Sequence, residues 1–306
     1  MNIEVNRINI GICGNPEEYT KQTNEIFMHQ LKEIVQKIAS NIENRPVILL
    51  AGPSGSGKTT TAFMIAKLLD ELGCGCHTIS MDNYFKSLTE EEKELAAQGR
   101  VDLESPDRID KELLNAQIED IENCRPVNVP KYDFAQSARS EETIPFERKH
   151  GDVVIFEGIH ALNPDVITVP DSKLCKLYVS VRTRITKEGL VLNPAKIRLM
   201  RRMIRDRNFR KRSIEETMSM FHSVVAGENK YIMPYKMRSD YDIDTFMAYE
   251  MSVYRYNLLD DLRLMEDNSE LSDVMEILSA LATLDNELVP KNSLIREFIG
   301  KGEFKY

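Results

Sequence analysis

The residues whose types and spacing point most directly to chemistry form one glycine-rich stretch. It reads Gly52-Pro53-Ser54-Gly55-Ser56-Gly57-Lys58-Thr59 and follows a short apolar run over 47–51. This is a complete G-x-x-x-x-G-K-[ST] phosphate-binding loop, or P-loop, between a predicted strand and a predicted helix. The glycines let backbone N–H groups turn inward around phosphates, and the helix N-terminus adds positive potential. We expect Lys58 to reach the β- and γ-phosphates of a nucleoside triphosphate and Thr59 to ligate Mg²⁺.

Several classes of nucleotide-binding protein carry a P-loop, so other motifs must separate them. A GTPase has an N-K-x-D motif that reads the base, whereas Asn229-Lys230-Tyr231-Ile232 lacks the aspartate. The L-S-G-G-Q-like signature of transporter ATPases is absent from the sequence. Both classes are therefore disfavoured.

Two acidic residues follow predicted strands and are candidates for catalytic roles. Asp82 comes just after a strand over 76–80, and Glu157 ends the apolar run 153–156. In an open parallel sheet, ligands bind at the carboxyl ends of the strands. Asp82 is therefore either a general base for an attacking hydroxyl or a cap of the next helix. Glu157 is either a Walker-B acid near Mg²⁺ or an acid that merely starts a loop.

A strongly basic segment departs from the acidic average of the chain. Between 196 and 212 there are nine lysines and arginines and one acid, Asp206. Apolar residues at helical spacing predict a helix with one core face; they are Ile197, Met200, Met203 and Ile204. The low apolar content of 207–212 favours a mobile lid whose arginines clamp the transferring phosphoryl group. The alternatives are a solvated basic face or an RNA-binding patch.

Short apolar runs alternate with helical patterns along the middle of the chain. Strands are predicted over 47–51, 76–80, 153–156 and 174–179. Helices are predicted over 60–72, 89–98, 110–123 and 194–206. The alternation predicts an α/β fold, a P-loop NTPase with a parallel β-sheet flanked by helices.

Three parts are predicted along the chain. Residues 1–45 form a strand and helical arm, with a helix over 16–44. Residues 46–245 form the P-loop domain, with the lid at about 206–213, and 246–306 form a C-terminal helical extension. Appended amphipathic helices need a surface on which to bury their apolar faces, which favours a homo-oligomer.

Composition excludes further classes of protein. The 306 residues carry 40 Lys and Arg against 49 Asp and Glu, a formal net charge of −9. This acidic average disfavours a nucleic-acid or membrane-surface binder. No apolar run approaches the roughly 18–20 residues that cross a bilayer, and the start lacks a signal-peptide pattern. The five scattered cysteines are interpreted as reduced thiols, so we expect a cytoplasmic protein.

Several motifs occur in the order and spacing of a known family. They are Gly52–Thr59, Ser80–Phe85, Tyr132-Asp133-Phe134, Glu157-Gly158-Ile159 and Arg198–Asp206. The region 46–245 thereby resembles the uridine kinase/phosphoribulokinase family of P-loop kinases. Stretches 227–234 and 290–300 resemble a bacterial subfamily of uridine kinase-like nucleoside kinases, whose members often carry an N-terminal domain like one in threonyl-tRNA synthetases. The region before the P-loop is too short for much of that domain, so we expect a trimmed version.

The resemblance implies roles for residues at the matching positions. Asp82 would be the general base that takes the proton from a nucleoside 5′-hydroxyl, and Asp102 or Glu104 would hold the ribose hydroxyls. The implied catalytic residues are Asp82, Lys58, Arg205 and Arg210. The implied binding residues for ATP are the P-loop, Thr60, Arg202 and Arg212, and those for Mg²⁺ are Thr59 and Glu157. The implied acceptor-binding residues are Asp82, Tyr84, Asp102, Glu104, Tyr132, Ser137, Arg139 and Glu157.

Two departures from the family pattern concern specificity. Uridine kinases usually have a Tyr-Asp-Phe-x-x-His-x-Arg run whose histidine reads the pyrimidine, and this chain has Ser137 at that position. Serine is shorter and differently shaped, so the base contact is relocated or lost. The stretch 239–245 also lacks the Asn-Ser that the subfamily usually has there.

The expected function is ATP- and Mg²⁺-dependent phosphoryl transfer to the primary hydroxyl of a uridine- or cytidine-like nucleoside or a related metabolite. One alternative is a kinase for another small hydroxyl acceptor, such as a sugar phosphate or pantothenate. The other is a nucleotide-binding regulatory or RNA-associated protein without kinase turnover.

Overall fold

The computed structural model describes residues 1–98, 100–265 and 267–305. Helices and strands are numbered separately in chain order. The strands are β1 Asn2–Glu4, β2 Val47–Ala51, β3 Cys76–Ser80, β4 Val127–Asp133, β5 Ala138–Phe146, β6 Val153–Glu157, β7 Leu174–Ser180, β8 Arg184–Lys187, β9 Leu190–Leu192 and β10 Tyr241–Asp244. The helices are α1 Val5–Gly14, α2 Pro16–Ala39, α3 Lys58–Glu71, α4 Glu90–Ala97, α5 Lys111–Glu122, α6 Pro194–Arg210, α7 Ile214–Tyr231, α8 Glu250–Arg263, α9 Ser272–Ala280 and α10 Arg296–Ile299.

The centre of the molecule is a parallel sheet of five strands in the order β10-β7-β2-β6-β3. Strands β2, β6 and β7 are buried along their whole length, as their continuous apolar sequences require. Alternate residues of β2 belong to two different hydrophobic clusters. Ile48 and Leu50 belong to one cluster, and Val47 and Leu49 belong to the other. The predicted α/β fold with a parallel, helix-flanked sheet is confirmed.

The register of this sheet brings the chemically interesting strand ends together. Leu50 of β2 pairs with Glu157 of β6, and Ser80 of β3 pairs with the same glutamate. β2 continues into the P-loop, and β3 continues into the turn that holds Asp82. The carboxyl ends of the strands therefore carry the P-loop and both predicted strand-end acids.

Five strands of the described residues were not predicted from the sequence, whereas β1 lies within the predicted N-terminal strand and helical arm. β4 and β5 form an antiparallel hairpin, β1, β8 and β9 form a small sheet, and β10 joins the main sheet beside β7. Pro130 and Pro145 interrupt the apolar pattern of the hairpin, and β10 alternates with aspartates over only four residues. Pairing with a neighbour, rather than an apolar run, makes these segments strands.

The N-terminal segment packs against the core. Helix α2 begins at Pro16, where the Asn15 side chain accepts the N–H of Glu18, and it ends at Ala39 rather than at 44. Its buried apolar residues join a hydrophobic cluster of the sheet; they are Phe27, Leu31, Ile34, Val35 and Ile38. The predicted end was too late because Ser40 already caps the helix.

Helix α6 continues to Arg210, so the prediction that it ends at 206 was wrong. Arg207 donates a hydrogen bond of 3.0 Å to the carbonyl oxygen of Asn257 in α8, and this packing keeps the additional turn helical. Lys211, whose φ of 54° is left-handed, caps the C-terminus of the helix. The first part of the predicted lid segment is therefore helix.

The chain after β10 contains α8, α9, α10 and turns. Helix α8 packs against both α6 and α9. The last segment returns to the P-loop, where Leu294 contacts Gly57. In the described part of the chain, no helix combines the length and apolar character needed to cross a membrane.

Candidate functional site

The P-loop has the backbone conformation that its glycines permit. Gly55 and Gly57 have φ values of 74° and 84°, which residues with side chains rarely adopt. Gly52 is required for a different reason, since a Cβ there would lie 2.1 Å from the carbonyl oxygen of Val179. Lys58 begins α3, so the loop ends at the positive N-terminus of that helix. The loop has the geometry of an anion site.

Three consecutive carbonyl groups of the P-loop accept hydrogen bonds from other elements. Arg198 donates to the carbonyl oxygen of Ser54 at 2.8 Å. Arg201 donates to the carbonyl oxygen of Gly55 at 3.1 Å, and the Thr245 hydroxyl donates to the carbonyl oxygen of Ser56 at 2.6 Å. These bonds neutralise the negative ends of the loop dipoles, which favours an anion at its N–H groups.

The two arginines that hold the P-loop are buried in ion pairs. Arg198 donates to both carboxylate oxygens of Glu228, at 2.6 and 2.7 Å. Arg201 has no exposed side-chain surface and donates to both oxygens of Glu250, at 2.8 and 3.0 Å. Bidentate pairs of this kind fix geometry as well as charge. These arginines are structural supports of the loop.

A buried aspartate, Asp206, lies among four arginines at the end of α6. Its carboxylate oxygens lie 2.8, 3.5, 3.9 and 4.0 Å from the guanidinium nitrogens of Arg205, Arg210, Arg212 and Arg202 respectively. Asp206 has no exposed surface, whereas Arg210 is 48% exposed. Four positive charges around one negative charge leave an excess that favours a bound anion. The fold brings together all four arginines that the resemblance implies as catalytic or ATP-binding residues.

Lys58 is a cation that acts on three candidate acids of the site. Its ammonium lies 3.3 Å from the carbonyl oxygen of Pro53. Its charge lowers the pKa values of Asp82, Glu104 and Glu157, although burial raises all three overall. The P-loop lysine and three candidate acids are therefore in one electrostatic environment.

Asp82 lies in a 3₁₀ turn, Met81–Tyr84, directly after β3. The turn is capped by Ser80, whose Oγ accepts the N–H of Asp82 at 3.4 Å. The alternative that Asp82 is itself a helix cap is therefore not realised. Burial raises the pKa of Asp82, and the charges of Lys58 and Arg210 oppose that rise.

Glu157 is a buried carboxyl, and the nearby Lys58 charge and Ser80 hydrogen bond do not offset the cost of burying its negative charge. Burial, followed by the nearby charge of Asp82, raises the pKa of Glu157 to about 7. Mg²⁺ in nucleotide sites takes one or two protein oxygens together with phosphate and water oxygens. The Glu157 carboxyl and the Thr59 hydroxyl fit this donor set. Among the described residues, no cluster of three acidic, histidine or cysteine side chains could hold a metal alone.

The two acids that were alternatives for the ribose position differ in their surroundings. Burial raises the pKa of Glu104 to about 7, and the charges of Arg202 and Lys58 oppose the rise. Asp102 is exposed and accepts the hydroxyl of Tyr231 at 2.8 Å. Glu104 is therefore the acid of this pair that faces the site cations most closely.

The hairpin β4–β5 contributes the side chains expected on the acceptor side. Tyr132 accepts a hydrogen bond from Arg108 at 3.1 Å and packs edge-on against Phe85. Ser137 is half-buried in the hairpin turn with a φ of 51°, and its carbonyl accepts the N–H of Leu88. The turn that carries Ser137 is thus docked on the segment after Asp82.

Comparison with known proteins agrees with this arrangement. A sequence model described as "Phosphoribulokinase / Uridine kinase family" matches residues 47–252. The chain belongs to the phosphoribulokinase/uridine kinase family. It is accordingly a P-loop kinase, a phosphotransferase.

Relatives of this family member are found among bacterial enzymes. It is 34% identical over 197 residues to a uridine kinase of Staphylococcus epidermidis, covering 63% of this chain and 84% of the relative. It is 34% identical over 200 residues to a uridine kinase of Staphylococcus haemolyticus, covering 64% and 86%. A solved structure described as a possible uridine kinase from Bacillus stearothermophilus is 16% identical, with a TM-score of 0.41 over 70% of this chain and 100% of that one.

Two residues implied by the family pattern for acceptor binding have structural partners instead. The ring of Tyr84 is fully buried, and its hydroxyl donates to Gln117 at 2.7 Å. Arg139 donates to Asp110 at 3.1 Å and to the Tyr84 carbonyl at 3.2 Å, so it ties the hairpin to the turn after β3. Full burial leaves Tyr84 no surface for an acceptor, whereas the Arg139 side chain is 27% exposed and its contact with an acceptor stays a prediction.

The alternative of a solvated or RNA-binding face does not describe the whole of the basic helix. Arg198, Arg201 and Arg202 are buried, and the first two are engaged by carboxylates. Sequence reasoning could not assign their partners, Glu228 and Glu250, because each lies one or two helices further along the chain. Only the stretch 227–234, quoted above for its resemblance, contained one of them.

Proposed function

We propose that this kinase transfers a phosphoryl group from ATP, with Mg²⁺, to the primary hydroxyl of a nucleoside or a related metabolite. The observation that carries the proposal is the position of Asp82. Its carboxyl lies at the sheet edge beside the P-loop, where Lys58 and Arg210 both act on its pKa. An acid between a phosphate-binding lysine and a phosphate-clamping arginine is suited to receive the proton of an attacking hydroxyl.

The donor phosphates would be held by the P-loop and the arginines around Asp206. The P-loop N–H groups, the backbone N–H of Thr60 and the Lys58 ammonium bind and orient the phosphates. Arg205 and Arg210 stabilise the charge that moves to the leaving diphosphate, and Arg202 and Arg212 complete the clamp. The lid would be the end of α6 and the turn after it, at about 206–213, within a kinase domain of 46–245.

Mg²⁺ would be held by Thr59 and by Glu157, directly or through water. When bound, the ion neutralises phosphate charge and orients the transferring group. Before that, the buried Glu157 is partly protonated near neutral pH, because its pKa is about 7. Binding of the cation would therefore favour release of the proton from Glu157.

Asp82 would orient the acceptor hydroxyl and take its proton. Burial raises the pKa of Asp82, which makes the carboxylate a better proton acceptor near neutral pH. Glu104 would hold the ribose hydroxyls, and Tyr132 would line the acceptor pocket. Positioning and electrostatics supply most of the acceleration in such transfers.

The proposal does not fix the nucleobase of the acceptor, because Ser137 stands where uridine kinases usually have the histidine that reads the pyrimidine. A uridine- or cytidine-like nucleoside is favoured by the curated relatives, which are uridine kinases. Ser137 supports a second candidate, a sugar phosphate or another small hydroxyl acceptor, because serine offers only a short hydroxyl for base recognition. The burial of Arg198, Arg201 and Arg202 argues against an RNA-associated protein without turnover.

A coupled ADP-release assay over nucleosides, sugar phosphates and pantothenate tests the proposal. We expect pyrimidine nucleosides to raise ADP release well above the rate without acceptor, with one phosphorylated product per ADP. If only a sugar phosphate or pantothenate does so, the second candidate is correct. If none does so, acceptor phosphorylation is rejected for all three classes.

A further inference from the structure

The C-terminal segment 292–300 contacts both the P-loop and helix α6. Leu294 is fully buried, and a Cβ placed on Gly57 would lie 2.9 Å from its methyl carbons. Three residues later, the Glu297 carboxylate accepts a hydrogen bond of 2.5 Å from the hydroxyl of Thr60 in the first turn of α3. The segment therefore touches the N-terminal end of the helix whose N–H groups would meet the phosphates.

The same segment also touches helix α6. The guanidinium carbon of Arg201 lies 5.2 Å from the ring centre of the buried Phe298. Asn208 donates a hydrogen bond of 3.3 Å to the carbonyl oxygen of Phe298, and the Phe209 ring lies against Gly300. These α6 residues flank Asp206 and its arginines, so one short segment links the two halves of the proposed phosphate site.

The segment is held rigidly enough to position its neighbours. Arg296 is buried and donates to backbone carbonyls of its own segment, including those of Asn286 at 2.9 Å and Gly300 at 3.2 Å. The Ser293 and Tyr249 hydroxyls are hydrogen-bonded at 2.6 Å. A side chain that orients a binding group must itself be fixed by such contacts.

Glu297 also influences the acids of the site. Its charge is among the influences that raise the pKa of Glu157, although burial and Asp82 contribute more. The carboxylate of Glu297 thus belongs to the electrostatic environment of the P-loop and the Mg²⁺ donors. Its position is not explained by core packing alone, since Glu297 is only half-buried.

We infer, building on the nucleotide site proposed above, that Glu297 is a positioning residue for the phosphate donor. Through Thr60 it fixes the first turn of α3, and Leu294 fixes Gly57 at the start of that turn. The C-terminal segment 292–300 is then part of the donor site, although it lies outside the residues 47–252 that match the family. Loss of the Glu297 hydrogen bond should weaken donor binding and leave acceptor binding unchanged.

Calorimetric titration with MgADP, without acceptor, tests this inference. We expect E297A to weaken MgADP binding roughly ten-fold, a loss typical of one hydrogen bond to a charged group. E297Q should bind nearly as well as the wild-type chain, because the amide oxygen still accepts the Thr60 hydroxyl. The matched control is E303A, which removes a glutamate just after this segment that pairs with Lys67 of α3 at 3.2 Å; it should not change the affinity.

Folding and kinetics separate positioning from a general structural role. Each variant is first melted without nucleotide, and T60V, which removes the same hydrogen bond from the other side, replaces E297A if that variant does not fold. In turnover, KM for ATP should rise while KM for the acceptor stays constant. Wild-type affinity in both E297A and T60V, or equal weakening by E303A, overturns the inference. Failure of the wild-type chain to bind MgADP overturns the proposed nucleotide site instead.

Discussion

Arg201, a residue with no exposed side-chain surface, donates a hydrogen bond of 3.1 Å to the carbonyl oxygen of Gly55 in the P-loop. The same guanidinium is held by both oxygens of Glu250. The loop proposed to bind phosphates is therefore held in place by an arginine of helix α6, which is itself held by a buried ion pair. Helix α6 therefore supplies the arginines proposed to bind the phosphates and also fixes the conformation of the P-loop.

Substitution of Arg201 should be strongly destabilising. R201M leaves the Glu250 carboxylate buried without its partner, and breaking a buried pair costs about 3–5 kcal/mol. R207A on the same helix removes a partly exposed pair with Asp261 and should cost less than about 1 kcal/mol. Urea denaturation of both variants measures the difference. Equal and small losses would show that the Arg201 pair does not support the fold.

Substitution of Arg210 should impair activity without impairing the fold. Arg210 is 48% exposed at the end of α6 and acts on Asp82. R210A should lower kcat about 10²–10³-fold, the loss found when one charge-stabilising donor is removed. Unfolding free energy should change by less than about 0.5 kcal/mol, as at other exposed positions. R263A, which removes an exposed pair with Asp260 of α8, is the kinetic control, and R210A turnover equal to that control would remove Arg210 from the clamp.

The parallel sheet and the P-loop could be predicted because their determinants are local. Strand 47–51 is a continuous apolar run, and the glycine spacing of 52–59 has few alternative structural explanations. The hairpin β4–β5 was missed because its strands contain prolines and exposed residues. Its structure depends on docking against the turn after β3, which no local pattern reveals.

The arginines of α6 show the same limit within the site. Arg201 and Arg205 are one helical turn apart, and both belong to one basic run. The first is buried against Glu250 and the second pairs with Asp206. Their different environments are set by elements far away in the sequence, so spacing alone could not assign them.

The unfolding free energy should depend on pH through Glu157. The pKa of this carboxyl is about 7 in the folded chain, against its ordinary value of 4.5 in the unfolded chain. Its protonated form therefore favours the folded state, and that contribution is complete below pH 4.5 and is lost as pH rises to about 7. E157Q does not titrate, so without Mg²⁺ it should exceed the wild-type stability by on the order of 3 kcal/mol above pH 7, because one pKa unit corresponds to about 1.4 kcal/mol.

Denaturation of E157Q and wild-type protein at several pH values measures this difference. The two chains should be nearly equally stable at pH 4.5 and diverge as pH rises. The same variant should lose turnover, since Glu157 is a proposed Mg²⁺ donor. A stability difference that does not vary with pH would contradict the raised pKa of Glu157.

Acceptor preference should change when the family's usual histidine is restored. Histidine tolerates the left-handed φ of 51° at Ser137 better than most residues do. S137H should raise kcat/KM for pyrimidine nucleosides about ten-fold relative to purine nucleosides, which is within the usual range for one polar contact. Q136H, at an exposed neighbouring position of the same turn, is the control. An unchanged preference in S137H would place base recognition elsewhere.

The proton acceptor is the centre of the proposed mechanism, and D82N tests it most directly. Asparagine keeps the shape of Asp82 but cannot take a proton from the acceptor hydroxyl. Single-turnover transfer from MgATP, measured together with MgADP affinity, separates chemistry from binding. We predict that D82N binds MgADP as the wild-type chain does and transfers the phosphoryl group about 10²–10⁴-fold more slowly. Transfer by D82N at close to the wild-type rate would contradict the role of Asp82 as the base.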